Sequence, residues 1–175
     1  MITTERLILR EMTREDFSPL KQVLGDPDIM RHYPYTFDDR RVQGWIEKNI
    51  ERYKVFGFGL WAVVLRETGE MIGDCGITMQ NINGFIRPEI GYHIAKAHQR
   101  RGYASEAARA CICYAFEQTP FLRIYSYMKK DNLPSASTAR SIGMSFESEF
   151  IDAEGEITEV YSISRNEWIN KKELR

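Results

Sequence analysis

The chain has 175 residues, of which 43% are hydrophobic and 28% charged, and its formal net charge is −1. This length and composition predict one globular domain spanning 1–175. The near-neutral balance gives no electrostatic reason to expect a nucleic-acid partner. No apolar run approaches the roughly 20 residues that span a bilayer, and the first residues lack a secretory signal pattern. We therefore expect a cytoplasmic protein with no membrane partner.

Three cysteines and three histidines bear on redox and metal chemistry. Cys111 and Cys113 are two positions apart on a predicted helix, about 200° around its axis, so they do not share a face. Reduced, packing thiols are expected for all the cysteines. The histidines never pair at the helical spacing of metal ligands, so no metal is predicted.

The first half of the chain predicts a strand, two helices and a meander of strands. Leu7 and Leu9 are expected to point to one side of a strand, and Arg6, Ile8 and Arg10 to the other. Gly69 suits one hairpin turn and Asn83-Gly84 suits the next. In chain order the predicted elements are a strand at 4–12, helices at 13–25 and 36–53, and strands at 58–66, 71–80 and 85–95.

The second half predicts a helical crossover followed by a last hairpin. Pro134 fits the first turn of a short helix, and Gly143 fits its end. The elements are a helix at 104–118, a strand at 122–128, a helix at 133–142, strands at 144–151 and 157–164, and a polar tail from Asn166 that is helical or frayed. A helical crossover makes the strand at 122–128 parallel to the one at 85–95. The pattern predicts an α+β fold with a mixed, mostly antiparallel sheet of about seven strands.

The segment Gln99–Tyr103 leaves a strand and opens a helix. Such a loop presents free backbone N–H groups, to which the helix dipole adds about half a positive charge. Gly102 permits close approach of an anion, and Arg100 and Arg101 add two full charges. These features suit a pyrophosphate. Taken alone, a surface loop with solvated arginines remains the simpler interpretation.

The same segment resembles the signature of a known superfamily. Gln99, Gly102 and Ala104 occupy the positions of Gln/Arg-x-x-Gly-x-Gly/Ala, the signature of the GNAT superfamily of N-acetyltransferases. The order of predicted elements is similar to the GNAT layout over nearly the full chain. The departures are Ala104, where Gly is commoner, and Met144, where Phe is usual. Local stretches at 5–10, 72–76, 89–92, 131–135 and 141–146 resemble the ribosomal-protein-alanine N-acetyltransferase-like branch.

This resemblance implies a twisted GNAT-like sheet with helices on both faces, splayed where acetyl-coenzyme A (acetyl-CoA) binds as co-substrate. The pantetheine arm would lie against the backbone of the strand at 89–95, and the pyrophosphate would lie on the loop amides. Asn132 would hold the cofactor from the opposite strand's end. The cofactor-binding residues that the resemblance implies are His93, Ile94, Ala95, Gln99, Arg100, Arg101, Gly102, Tyr103, Ala104, Asn132 and Ser135.

The implied reaction is direct attack of a primary amine on the thioester, with no covalent enzyme intermediate. A base must first take a proton from the ammonium, and Glu89 is the candidate. A solvated carboxylate beside Arg87 is its equally open alternative. Ser135 is the candidate proton donor to the leaving thiolate, and a simple helix cap is its alternative. Possible substitutes are Tyr103 and Tyr161 for Ser135, and Glu149 for Glu89.

The connection at 32–37 is unusually aromatic. Tyr33, Tyr35 and Phe37 form either one wall of an acceptor pocket or a hydrophobic loop over the sheet edge, and both can hold together. The leading acceptor is a protein N-terminal α-amine. A small amine (polyamine, amino acid or aminoglycoside) and a catalytically silent acyl-CoA-binding module stay open, as does a homodimer.

Overall fold

The computed structural model describes residues 1–173, and the side chains as far as Lys171. Its strands are β1 Ile2–Thr3, β2 Leu7–Arg10, β3 Leu60–Leu65, β4 Met71–Ile82, β5 Phe85–Ile94, β6 Arg123–Lys129, β7 Ser145–Ile151 and β8 Ile157–Ser164. They form one sheet in the order β1-β2-β3-β4-β5-β6-β8-β7. Among the described strand pairings, the one between β5 and β6 is parallel and the others are antiparallel. The mixed, mostly antiparallel sheet is confirmed, and its eighth strand is the two-residue β1, which is too short for a periodic pattern.

The helices follow the predicted order. They are α1 Phe17–Leu24, α2 Asp39–Phe56, α3 Tyr103–Gln118, α4 Leu133–Ser141 and α5 Arg165–Glu173, with 3₁₀ turns at Arg14–Asp16 and Lys96–His98. The α2 helix begins after Asp38, whose side chain accepts a hydrogen bond from the Arg41 backbone N–H at 2.9 Å. It ends at Gly57, whose φ of 75° suits glycine. The predicted polar tail from Asn166 is helical as far as Glu173, where the description ends.

Helices cover both faces of the sheet, as two neighbouring residues of β4 show. Asp74 Oδ2 accepts a hydrogen bond from Trp45 Nε1 of α2 at 2.8 Å. The Sγ atom of the next residue, Cys75, lies 3.7 Å from Sγ of Cys111 in α3. Successive strand residues point to opposite faces, so α2 and α3 lie on opposite sides. Both residues of β4 are fully buried between these layers.

The sheet opens between its two parallel strands. The β4–β5 ladder runs without a break from Gly73–Ile94 to Ile82–Phe85. In contrast, β5 and β6 are paired in register at Glu89 and Tyr125 only. Beyond that pair the C-terminal ends of the two strands separate, which confirms the expected splay. Within residues 1–173, no helix combines the length and apolar composition needed to cross a bilayer.

Candidate active site

A cleft of about 2010 Å³ opens where β5 and β6 separate. Its lining brings together segments that are far apart in sequence: the aromatic connection before α2, one face of α2, β4, β5 with the loop after it, β6, the start of α4, and the loop between β7 and β8. The predicted site residues that line it are Tyr33, Tyr35, Phe37, Glu89, His93, Ile94, Gln99, Arg100, Asn132 and Ser135. The others lie beside it at the end of β5 and the start of α3; they are Ala95, Arg101, Gly102, Tyr103 and Ala104.

Glu89 is a buried carboxyl group at the base of the splay, with 8% of its surface exposed. Its Oε2 accepts a hydrogen bond from the Thr78 hydroxyl at 3.1 Å. Burial raises the pKa of Glu89 to about 7, against the opposing effects of Thr78, His93 and Arg52. A solvated carboxylate beside Arg87 was therefore the wrong alternative. A pKa near neutrality suits a general base.

A chain of polar side chains, here called the His93 network, crosses the α2 side of the cleft. The Tyr33 hydroxyl lies 2.9 Å from Nε2 of His93, and Nδ1 of His93 lies 2.7 Å from Oδ1 of Asp74. The other Asp74 oxygen accepts the Trp45 indole N–H. Burial opposes the charged imidazolium, but the Asp74 carboxylate outweighs it and raises the pKa of His93.

His93 was expected to contribute only its backbone, and Asp74 was expected to have no role. The available signal was an acidic residue inside an apolar strand, because a buried carboxylate requires a hydrogen-bonded or charged partner. Asp74 is fully buried and has two such partners, His93 and Trp45. Within the described part of the chain, no group of three or more His, Cys, Asp or Glu side chains is placed to hold a metal ion.

The aromatic connection packs into the core and also lines the cleft. The Tyr33 and Phe37 rings meet edge to face with centroids 5.5 Å apart. Phe37 also packs against Trp45 at 5.5 Å and is 7% exposed, so it belongs to the core. Tyr35 is 43% exposed and packs against Phe37 at 5.4 Å. The same rings therefore close the core and form one wall of the cleft.

The cleft can be approached from both faces of the sheet. Glu89 and His93 point to the α2 face, where His93 meets Tyr33 and Trp45. Tyr92 points the opposite way, and its hydroxyl donates to the Ser135 carbonyl of α4 at 2.9 Å. Alternation along one strand thus gives each face its own set of side chains.

The start of α4 separates the two roles considered for Ser135. Asn132, not Ser135, is the N-cap, because Asn132 Oδ1 accepts the Ser135 backbone N–H at 3.3 Å. The cap interpretation of Ser135 was therefore wrong. The Ser135 side chain interacts with the Tyr92 hydroxyl, and it lines the cleft.

The residues named as possible substitutes do not reach the cleft. Tyr103 lies under the Arg6 guanidinium, 4.5 Å from its ring centroid. The Tyr161 hydroxyl is engaged by Arg140 at 2.8 Å, and Tyr161 is 2% exposed. Glu149 pairs with Lys130 at 3.1 Å on the surface. The cleft lining includes none of the three.

The loop before α3 is fixed to β5 and β2. Gln99 Nε2 donates to the Ile94 carbonyl at 2.9 Å, and Arg6 Nη1 donates to the Arg101 carbonyl at 2.9 Å. Gly102 has a φ of 82°, where a side chain would add strain. Over residues 1–173 no protein acceptor is found for the backbone N–H of Arg101 or Gly102. These groups fit an anion such as a pyrophosphate.

The backbone expected to meet the pantetheine arm needs one correction. The Ala95 N–H donates to the Ile72 carbonyl at 2.8 Å, so it is committed to the sheet. Because hydrogen-bonding directions alternate along an antiparallel strand, the N–H of Ile94 points away from β4 and towards the gap. Ile94, and not Ala95, therefore offers a backbone donor to a ligand between β5 and β6.

Comparison with known proteins agrees with this geometry. Residues 6–145 match the family model of the acetyltransferase (GNAT) domain. The uncharacterized protein YkkB of Bacillus subtilis is 37% identical over 146 residues, which cover 83% of this chain and 85% of YkkB. The uncharacterized N-acetyltransferase p20 of Bacillus licheniformis is 32% identical over 168 residues, covering 92% and 93%. The crystal structure of an acetyltransferase from Agrobacterium tumefaciens superposes with a TM-score of 0.80 at 30% identity, covering 93% of this chain and 92% of that one.

Proposed function

The chain belongs to the GNAT family of acetyltransferases, which use acetyl-CoA, and on that premise we propose that it acetylates the N-terminal α-amine of a protein. The observation that carries this proposal is the buried carboxyl of Glu89 at the base of the β5–β6 splay, with a pKa of about 7. The cleft, of about 2010 Å³, also has room for an acceptor beside the cofactor arm.

The loop residues and β5 would hold the co-substrate. The N–H groups of Arg101 and Gly102, with the charge of Arg100, bind the pyrophosphate at the start of α3. The Ile94 N–H donates to the pantetheine arm in the gap. Acetyl-CoA supplies the electrophilic thioester carbonyl and a thiolate leaving group.

Two side chains would move the protons. Glu89 takes a proton from the acceptor ammonium, directly or through water, and its pKa near 7 leaves a large ionised fraction at neutral pH. On the opposite face of β5, the Ser135 hydroxyl donates its proton to the leaving thiolate while it takes a proton from solvent water, so that coenzyme A leaves as the thiol and no alkoxide remains. Glu89 and Tyr92 point to opposite faces of the sheet, and Tyr92 contacts α4. The amine therefore enters from the α2 side, where Glu89 is, and the cofactor enters from the α4 side, where Ser135 is.

The test is a matched acceptor screen with acetyl-CoA. One pair of acceptors consists of peptides with a free N-terminus and the same peptides with a blocked N-terminus and one added lysine. The small acceptors are spermidine and free amino acids. Thiol release gives the rate, and mass spectrometry locates the acetyl group. We expect turnover on the free α-amine. Acetylation of small amines alone would overturn the protein acceptor, and acetyl-CoA binding without turnover on any amine would favour a silent binding module.

A further inference from the structure

One face of α2 presents positive charge to the acceptor side of the cleft. Arg41, Lys48 and Arg52 line the cleft together with Trp45. Their spacings of four, three and four residues place all of them on one helix face. Trp45 anchors this face, because its indole donates to Asp74 and its ring lies 5.9 Å from the His93 ring.

These three cations, here called the α2 cation row, have no acidic partner. In the part of the chain that the structure describes, none of Arg41, Lys48 and Arg52 forms an ion pair. The Arg41 guanidinium lies over the Tyr35 ring at 4.5 Å. Arg52 donates from Nη1 to the Asn49 side-chain oxygen at 3.2 Å. No salt bridge among the described residues therefore compensates these three charges, and the nearest acidic influence is that of the buried Glu89 on Arg52.

The carboxylates that line the same cleft are not on α2. Asp28 precedes that helix and pairs with Lys96. Asp152 and Glu154 follow β7, and both share Lys129 with Glu156, Asp152 at 2.5 Å and Glu154 at 3.2 Å. Glu89 is on β5 and is buried. An acceptor that enters along α2 therefore meets a helix face whose charges are all positive.

The phosphates of the cofactor do not account for the α2 cation row. The loop that suits the pyrophosphate opens α3, which lies on the opposite face of the sheet from α2. The Arg52 charge also acts on Glu89, since it lowers the pKa of that carboxyl against the effect of burial. The row thus runs beside the proposed base.

The row is also longer than a single small anion needs. Arg41 and Arg52 are eleven positions apart, which is roughly 16 Å along a helix. An extended peptide covers that length in about five residues. We infer, on the basis of the proposed function, that the acceptor is a protein N-terminus with acidic side chains among its first residues, which the α2 cation row binds.

Three pentapeptides with a leading alanine and a blocked C-terminus would test this. Residues two to four are all aspartate in the first peptide, all asparagine in the second and all lysine in the third. We expect kcat/KM for the aspartate peptide to exceed that for the asparagine peptide by on the order of tenfold, since exposed ion pairs contribute modestly. The ratio should fall as salt is added. The lysine peptide should be the poorest substrate.

Matched double variants assign the preference to the row. Arg41→Gln with Lys48→Gln should bring the aspartate-to-asparagine ratio close to one. Arg40→Gln with Lys54→Gln removes two α2 charges that do not line the cleft and should leave the ratio unchanged. Free aspartate and spermidine are assayed as further acceptors beside the three peptides.

Equal rates for the three peptides, or preference for spermidine or the lysine peptide, would overturn the inference while acetyl transfer itself stands. Preference for free aspartate over the aspartate peptide would replace the protein N-terminus with an amino acid. Loss of the ratio in both double variants would remove α2 from the explanation. Failure to acetylate any acceptor would count against the proposed function, which separates the two ideas.

Discussion

Nδ1 of His93 lies 2.7 Å from Oδ1 of Asp74, and this contact sets the charge beside Glu89. Asp74 has no exposed surface, so its carboxylate depends on the partners that it finds inside the protein. It raises the pKa of His93, and the charged form of that imidazole lowers the pKa of Glu89 against the effect of burial. Glu89 and His93 therefore titrate as linked groups.

Replacing His93 by Gln should move the pH dependence of the reaction. The change removes a group whose charged form lowers the pKa of Glu89, so the pKa of Glu89 should rise and the ascending limb of kcat/KM should move to higher pH. A pH–rate profile measures this shift. His98→Gln is the matched control, since His98 contacts Glu70 at 3.2 Å away from the cleft lining. A His93→Gln profile that superposes on the wild type would contradict the linkage.

Replacing Glu89 by Gln should lower turnover far more than it weakens acetyl-CoA binding. The change keeps the shape and removes the base, so we expect a loss of about 10²–10⁴-fold at neutral pH. The loss should shrink at high pH, where more of the amine is already neutral. Turnover and the acetyl-CoA dissociation constant are measured on the same preparations. Full activity at pH 7 would assign the base to another group.

The same variant should change how stability depends on pH. The pKa of Glu89 rises from its ordinary 4.5 to about 7 on folding, so the folded state holds this proton more tightly. The stabilisation is complete below pH 4.5 and is lost as the pH rises through 7. Relative to Glu89→Gln, the wild type should lose about 3 kcal/mol of unfolding free energy across that range. Denaturant titrations of both proteins at several pH values measure the difference, and parallel curves would contradict the raised pKa.

Local sequence rules predicted the elements better than the contacts between them. The strand of Leu7 and Leu9 and the helix that opens after Gly102 follow from periodicity and backbone freedom, which need no tertiary information. The Asp74–His93 contact depends on the register of β4 against β5, which periodicity does not fix. Likewise, the Ser135 cap was a sound local expectation, but Asn132 is one residue before the helix and takes that role.

Acetyl-CoA binding should depend on the backbone at Gly102. The φ of 82° there disfavours a β-branched residue, so Gly102→Val costs stability as well as access to the loop amides. Gly69→Val is the matched control, because Gly69 has a φ of 75° in the β3–β4 hairpin, with open space around it. Both variants should lose about 1–2 kcal/mol of stability. Only Gly102→Val should lose acetyl-CoA affinity, as measured by calorimetry. Equal acetyl-CoA affinities of the two variants would show that this loop does not bind the cofactor.

The last prediction separates proton donation from helix capping at the start of α4. The Asn132 side chain caps the helix, so Asn132→Ala should cost about 1 kcal/mol of stability. The Ser135 side chain does not cap the helix, so Ser135→Ala should cost less unfolding free energy than Asn132→Ala.

If that hydroxyl protonates the leaving thiolate, Ser135→Ala should still lower turnover by tenfold to a few hundredfold, since a coenzyme A thiolate is not a strong base. Ser135→Cys should restore part of the rate. Turnover of Ser135→Ala within twofold of the wild type would end this role. Tyr92, whose hydroxyl lies 2.9 Å from the Ser135 carbonyl, would then be the next donor to test as Tyr92→Phe.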